Sequence, residues 1–224
     1  MPTKPLVLVA ASGLAREVVS SVRASVDRMV IGFLDDDVLL HGTSVSGLPV
    51  LGGLAAAEDH PDAEFVVCVG SGRTRSVIVD RLSQCGIGDD RFATLIDPSV
   101  RVPTTCNVGV GSILLAQTVL TANVEVGRHV VVMPHVVLTH DDRVDDFATL
   151  CAGVVLGGGV RVGRLAYLGM NACVREKIHV GANAVLGMGA TLLTDLPEAQ
   201  TWAGVPARDL AAAHVPTAST ASSR

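Results

Sequence analysis

LTANVEVGRHVVVMPHVVLTHDDRVDDFATLCAGVVLGGGVRV, residues 120–162, carries an aliphatic side chain at every sixth position: Leu120, Val126, Val132, Leu138, Val144, Leu150, Leu156 and Val162. The rule runs on without exception in both directions. It begins at Ile96 with Val102, Val108 and Leu114, and it ends with Leu168, Val174, Val180, Leu186 and Leu192. A period of six is neither the 3.6 of a helix nor the alternation of a single strand. It predicts a short strand followed by a tight turn, with three such units closing one triangular coil. Four residues after each anchor sits a small or branched side chain, such as Val124, Val136, Ala148 or Val160, and Asp142 is the one charge in that column. Glycine often follows the anchor, at Gly109, Gly127, Gly157, Gly163, Gly169, Gly181 and Gly187, and is read as supplying the turn dihedrals. The repeat therefore predicts a parallel β-helix over residues 92–197. At about 4.8 Å per coil the prism stands roughly under 30 Å tall.

Bulk properties narrow the function. Net charge is −5, without a Lys/Arg cluster, which argues against nucleic acid as a partner. No run of eighteen apolar residues is present, so no membrane span is expected. The start, MPTKPLVLVA, leads into a strand without a signal-peptide pattern, so a cytoplasmic protein is expected. Cys68, Cys85, Cys106, Cys151 and Cys173 have no metal-ligand spacing, which predicts free thiols and no metal.

Ahead of the repeat, residues 1–91 read as a small α/β domain. LVLVA (Leu6–Ala10) is a strand, Ala-Ser-Gly-Leu-Ala a small-residue turn, and Arg16–Val26 a helix. A second strand, Met29–Leu34, ends in Asp35-Asp36-Asp37. Gly42–Pro49 reads as a loop, Leu54–Glu58 as a short helix, and FVVCV (Phe65–Val69) as a third strand. Gly70-Ser71-Gly72-Arg73-Thr74-Arg75 then leads into a helix over Ser76–Cys85. Three or four parallel strands in a Rossmann-like layer would gather these loops at one sheet edge, where such folds bind ligands. A turn of small residues at a helix start suits a phosphate. Carboxylates after the second strand suit a ribose; the alternative for them is a solvated acidic turn. Arg75 suits a phosphate, or is a solvated first-turn residue. Beyond the repeat, residues 198–210 close the prism. Residues 211–224, rich in Ser, Thr and Ala, read as a disordered tail.

Inside the prism, Leu138-Thr139-His140-Asp141-Asp142-Arg143 breaks the apolar pattern. Local rules are broken most often at functional sites. Histidine exchanges protons near neutrality, and an adjacent acid can orient the ring. His140 and Asp141 are the candidate pair, with Asp142 as a competitor for the acid's role. The other reading is a surface or interface histidine, as for His129, His135 and His179.

The repeat resembles the left-handed β-helix acyltransferases. The whole chain to about residue 210 resembles one branch, the sialic acid O-acetyltransferase and nucleotide-amino-sugar N-acetyltransferase family. The pieces that carry the resemblance are VLVAASGLAREVV, FLDDD, VCVGSGRTR, LIDPSV, MPHVVLTHDDRVDDFATL and WAGVPAR, in that order. It implies a left-handed prism and a homotrimer with active sites between subunits. It also implies acetyl-CoA as cosubstrate and an amino-sugar or sugar-nucleotide acceptor held by the N-terminal domain. By the same resemblance His140 is the general base and Asp141 holds its ring. Gly158, Met170 and Met188 fall at coenzyme-contacting positions. Ser12, Gly13, Asp35, Asp36, Gly70 and Arg75 fall in nucleotide-contacting loops. The chain departs from the family at Ala10, at Leu14 and at Thr149. Thr149 replaces a second histidine near the acetyl carbonyl, a role either lost or passed to the hydroxyl. The alternatives are an O-acetyltransferase of sialic acid, or of another hydroxyl or natural-product acceptor, and a non-catalytic β-helix scaffold.

Overall fold

The computed structural model describes residues 3–24 and 27–211. All but residue 211 of the tail expected to be disordered, and the expected end of the first helix at Val26, lie outside the described residues.

The chain opens with a five-stranded sheet of order β3-β4-β2-β1-β5: β1 (Lys4–Val9), β2 (Arg28–Leu34), β3 (Ser44–Val45), β4 (Leu48–Gly52) and β5 (Glu64–Val67). Four strands are parallel, and β3 pairs antiparallel with β4. That hairpin replaces the loop expected over Gly42–Pro49. Its two turn residues, Ser46 and Gly47, both take positive φ, 50° and 78°, as a two-residue hairpin turn requires. Helix α1 (Gly13–Arg23) starts three residues earlier than expected because Ser12 caps it, accepting from the Ala15 N–H at 3.1 Å. Helix α2 (Gly72–Gln84) likewise starts at its cap, Ser71.

From Leu95 the chain winds into a left-handed parallel β-helix of two-residue strands, each paired with the strand eighteen residues later. The first face carries Ile113–Leu114, Val131–Val132, Thr149–Leu150, Tyr167–Leu168 and Val185–Leu186. The second carries Val119–Leu120 to Thr191–Leu192, and the third Asn107–Val108 to His179–Val180. The anchors from Leu114 to Leu192 are buried in one core with the small-residue column. Full burial of one such side chain stabilises the fold by about 1.5–3 kcal/mol. Ile96, the first anchor of the ruler, is instead 39% exposed, because the coil that would cover it is missing at that end.

The glycines after the anchors do not supply the turn dihedrals. Positive φ falls two residues later, at Asn123, Asp141 (64°), Gly159 and Lys177 on the corner between the second and third faces. The glycines answer a packing demand. A β-carbon on Gly163 would come within 2.6 Å of the Ala182 nitrogen, and one on Gly169 equally close to that of Met188. Coils stack too closely there for any side chain.

The two units share a core. Leu6, Leu8 and Val66 of the sheet pack with Leu95, Ile113, Leu115 and Val131 of the first face. Residues 92–93 still belong to the sheet, with the Ala93 N–H donating to the Phe65 carbonyl at 2.8 Å, and Leu95–Ile96 already pair with Ile113–Leu114. The end is closed by Thr201–Ala203, which extends the first face and pairs antiparallel with Arg208–Asp209.

Candidate active site

His140 and Asp141 form the corner between the second and third faces, opposite the face that carries the N-terminal domain. Both side chains are exposed. His140 Nδ1 lies 2.9 Å from Asp141 Oδ2, and Asn123 donates to Asp141 Oδ1 from the coil above at 3.1 Å. The His140 and Asn123 hydrogen bonds hold the Asp141 carboxyl below its usual range, so it is ionised and accepts an Nδ1–H. That tautomer leaves Nε2 with its lone pair free to take a proton.

Asp142 does not compete for the imidazole. It is fully buried, and its oxygens accept the N–H groups of Thr139 at 2.7 Å and Val160 at 2.8 Å. Burial pushes its carboxyl up to about 6, against the pull of those two bonds.

Gly158, eighteen residues on, lies under the His140 ring: a β-carbon there would stand 2.3 Å from Nε2. Met170 (49% exposed) and Met188 (71%) stack on a different corner, between the first and second faces. The second face lies between them and Gly158, so one chain does not bring the three together.

The nucleotide-loop candidates divide. Ser12, Gly13, Asp35, Asp36 and Gly70 do gather at the C-terminal edge of the sheet. Ser12 is occupied as a cap and donates to the Cys68 carbonyl at 2.6 Å. Asp35 holds the first turn, accepting the Ala11 N–H at 2.8 Å, while Ala10 takes φ 75° in the place of a glycine. Asp36 accepts the Leu54 N–H and pairs with Arg81 at 2.6 Å; the Leu54 bond, then Arg81, lower its carboxyl's pKa. These two carboxylates, Ala10, Thr74 and Arg81 line a cleft of about 330 Å³.

Arg75 is neither a phosphate ligand nor a solvated residue. It is 1% exposed, and its guanidinium donates to the carbonyls of His129, Val69, Phe147 and Ala148 and to Thr149 Oγ1. It bolts α2 to the prism, and Gly72 makes room, since a β-carbon there would strike the Phe147 carbonyl at 2.1 Å. Thr149 belongs to the same joint, donating to the Gly70 carbonyl at 2.8 Å. With no exposed surface, its hydroxyl does not reach a ligand in this structure. The sequence pattern contained no signal for this joint, because its acceptors in the prism are mostly main-chain carbonyls, about 55 to 75 residues away.

Two larger cavities lie between the N-terminal domain and the prism, with Met133 on the wall of both. One, of about 460 Å³, is bounded by Gly70–Arg73, Tyr167 and Asn183. The other, of about 510 Å³, has an apolar floor of Leu115, Pro134, Ala152 and Met170, with Glu17 and Asp97 beside it. Among the described residues no group of His, Cys, Asp and Glu could hold a metal ion, and no helix is long and apolar enough to cross a membrane.

Known proteins share this architecture. Residues 5–82 match the PglD N-terminal domain family. The acetyltransferase domain of PglB from Neisseria gonorrhoeae is 28% identical, with a TM-score of 0.84 over 93% of this chain and 100% of that one. Over most of its length the chain is similar in fold and sequence to hexapeptide-repeat acyltransferases. The PglB domain has also been solved in complex with acetyl coenzyme A. A perosamine N-acetyltransferase from Caulobacter crescentus, solved as a histidine-to-asparagine variant in complex with CoA and GDP-perosamine, is 27% identical. Its TM-score is 0.84 over 92% of this chain and 96% of that one. No curated protein matches the chain by sequence.

Proposed function

We propose that the protein transfers the acetyl group of acetyl-CoA to the amine of a nucleotide-linked amino sugar, with His140 as general base. The observation that carries this is the exposed His140–Asp141 pair, its ring over a glycine and its Nδ1 against an ionised carboxylate. The amine attacks the thioester carbonyl carbon, and Nε2 takes the proton the nitrogen loses. The tetrahedral oxyanion is stabilised by a backbone N–H in the cleft. Collapse breaks the C–S bond, and the imidazolium returns the proton to the CoA thiolate. No acyl-enzyme forms, and Asp141 steadies the imidazolium throughout. The structural relatives solved with acetyl coenzyme A, or with CoA and GDP-perosamine, support the coenzyme and the acceptor class.

A homotrimer with sites between subunits fits the geometry. His140 stands on the corner opposite the face covered by the N-terminal domain, so in one chain the base and the acceptor loops point apart. A neighbouring copy can bring its Met170 and Met188 corner against Gly158 and His140. An amine acceptor is favoured over sialic acid by the perosamine N-acetyltransferase, solved with CoA and GDP-perosamine. A cytoplasmic location, where acetyl-CoA and sugar nucleotides are made, goes with that chemistry.

The test is thiol release from acetyl-CoA with UDP-, dTDP-, GDP- and CMP-linked amino sugars, and with sialic acid in parallel. Turnover with an amino sugar that falls at least 10²-fold in His140→Ala is expected. Full activity in that variant would remove His140 as the base, and turnover with sialic acid alone would favour O-acetylation.

A further inference from the structure

Asp142 has no place in the proton transfer, yet it is the one charge in the prism's small-residue column and is fully buried there. Val124 and Val160 hold the same position one coil above and one coil below. A buried carboxylate among valines costs stability unless its oxygens are satisfied. Here they are, by the N–H groups of Thr139 and Val160.

The second bond ties one coil to the next. In part of this column the N–H turns back onto the carbonyl three residues earlier, as in Ala148 to Asp145, Ala166 to Gly163 and Ala184 to Gly181. The N–H groups of Val124, Val130 and Val160 instead meet a side chain of the coil above, Cys106 Sγ, Ser112 Oγ and Asp142 Oδ1, and of these acceptors only Asp142 is a carboxylate. Thr139 adds a parallel tie, its hydroxyl donating to the Leu156 carbonyl at 3.0 Å. Residues 139 and 142 bracket His140 and Asp141. Their contacts at 156 and 160 bracket Gly158. The His140–Gly158 contact is thus fastened on both sides.

We infer that Asp142 is a positioning residue, whose carboxylate clamps the His140 corner onto the coil that carries Gly158 and so fixes the imidazole for proton transfer. This rests on the reading of His140 as the base. Between reacting atoms a displacement of about 1 Å can cost 10²-fold in rate, so a clamp at this place acts on turnover more than on binding.

The experiment compares Asp142→Val, which restores the residue type of the adjacent coils, with wild type. The readouts are kcat, KM for acetyl-CoA and for the acceptor, and melting temperature. Asp142→Val removes the desolvation cost of a buried carboxylate but leaves the Thr139 and Val160 N–H groups without a partner, so it is expected to melt within a few degrees of wild type and to keep both KM values within about twofold. Its kcat is expected to fall about 10- to 100-fold. Thr139→Val, which removes only the parallel tie, should lower kcat by less. Unchanged kcat in Asp142→Val overturns the inference, and so does a loss of kcat that merely follows a collapse in melting temperature and KM. Failure of the base assignment reads differently, as full activity in His140→Ala.

Discussion

The Cα of Gly158 sits beneath the His140 ring so closely that no other residue type fits without moving it. Gly158 does not need glycine's backbone freedom, since its φ lies outside the left-handed region that its neighbour Gly159 occupies at 72°. What it supplies is space. Gly158→Ala is therefore expected to leave the prism folded but to swing the imidazole off the position in which Nε2 receives its proton. The loss in kcat should be about 10²-fold, with the melting temperature within a few degrees of wild type. Steady-state kinetics beside thermal denaturation checks this, and an alanine variant with wild-type kcat would falsify the placement.

Asp141 acts only through the ring it faces. Because the His140 bond, with Asn123, keeps its carboxyl ionised, Asp141→Asn exchanges a charged acceptor for a neutral one at nearly constant shape. A fall in kcat of about 10- to 100-fold is expected, with KM for both substrates little changed. If instead KM rises and kcat holds, Asp141 binds substrate and does not steady the base.

Arg75 carries the joint between the sheet and the prism. Arg75→Met removes five hydrogen-bonding nitrogen–hydrogen groups at once and leaves buried carbonyls of Val69, His129, Phe147 and Ala148 short of a partner. Destabilisation by about 3 kcal/mol or more is expected, first seen as proteolysis between the two units. Arg75→Lys should rescue little, because an ammonium lacks the planar fork that reaches the carbonyls on both sides. Limited proteolysis and melting curves of the two variants separate this from a ligand role, which would leave stability alone.

Acid stability depends on two buried groups with opposite signs. His129 stacks on Phe147 with an interplanar angle of 13°, and neither ring nitrogen meets a partner among the described residues. Burial first, then Arg128 and Arg75, bring its pKa down to about 4. The folded protein thus holds fewer protons than the unfolded chain between pH 6.5 and 4. The contribution of His129 is complete above pH 6.5 and is lost as pH falls through that window, by up to about 3 kcal/mol. Asp142, raised to about 6, works the other way, since its buried carboxylate is best tolerated when protonated, and its cost grows as pH rises from about 4 to 6. His129→Phe should flatten the acid loss of stability, and Asp142→Val should steepen it. Urea titrations at pH 4.5 and 7 give both signs.

The periodicity of six by itself determined the prism, because a coil of three strands repeats the same burial at the same spacing in every turn. It also located His140 and Asp141, since a charged group interrupting an apolar column is visible without coordinates. The strand-turn-helix order of residues 1–91 likewise made the layer legible. Contacts between elements distant in the chain were decided by the tertiary structure alone. Arg75 looked like an anion ligand because its distinguishing feature, a set of main-chain carbonyls supplied by the prism, has no side-chain signature. The glycines after the anchors looked like turn residues because the clash that demands them comes from the next coil. Asp142 looked like a rival for the imidazole. Only the stacking of Val160 beneath it made it a clamp.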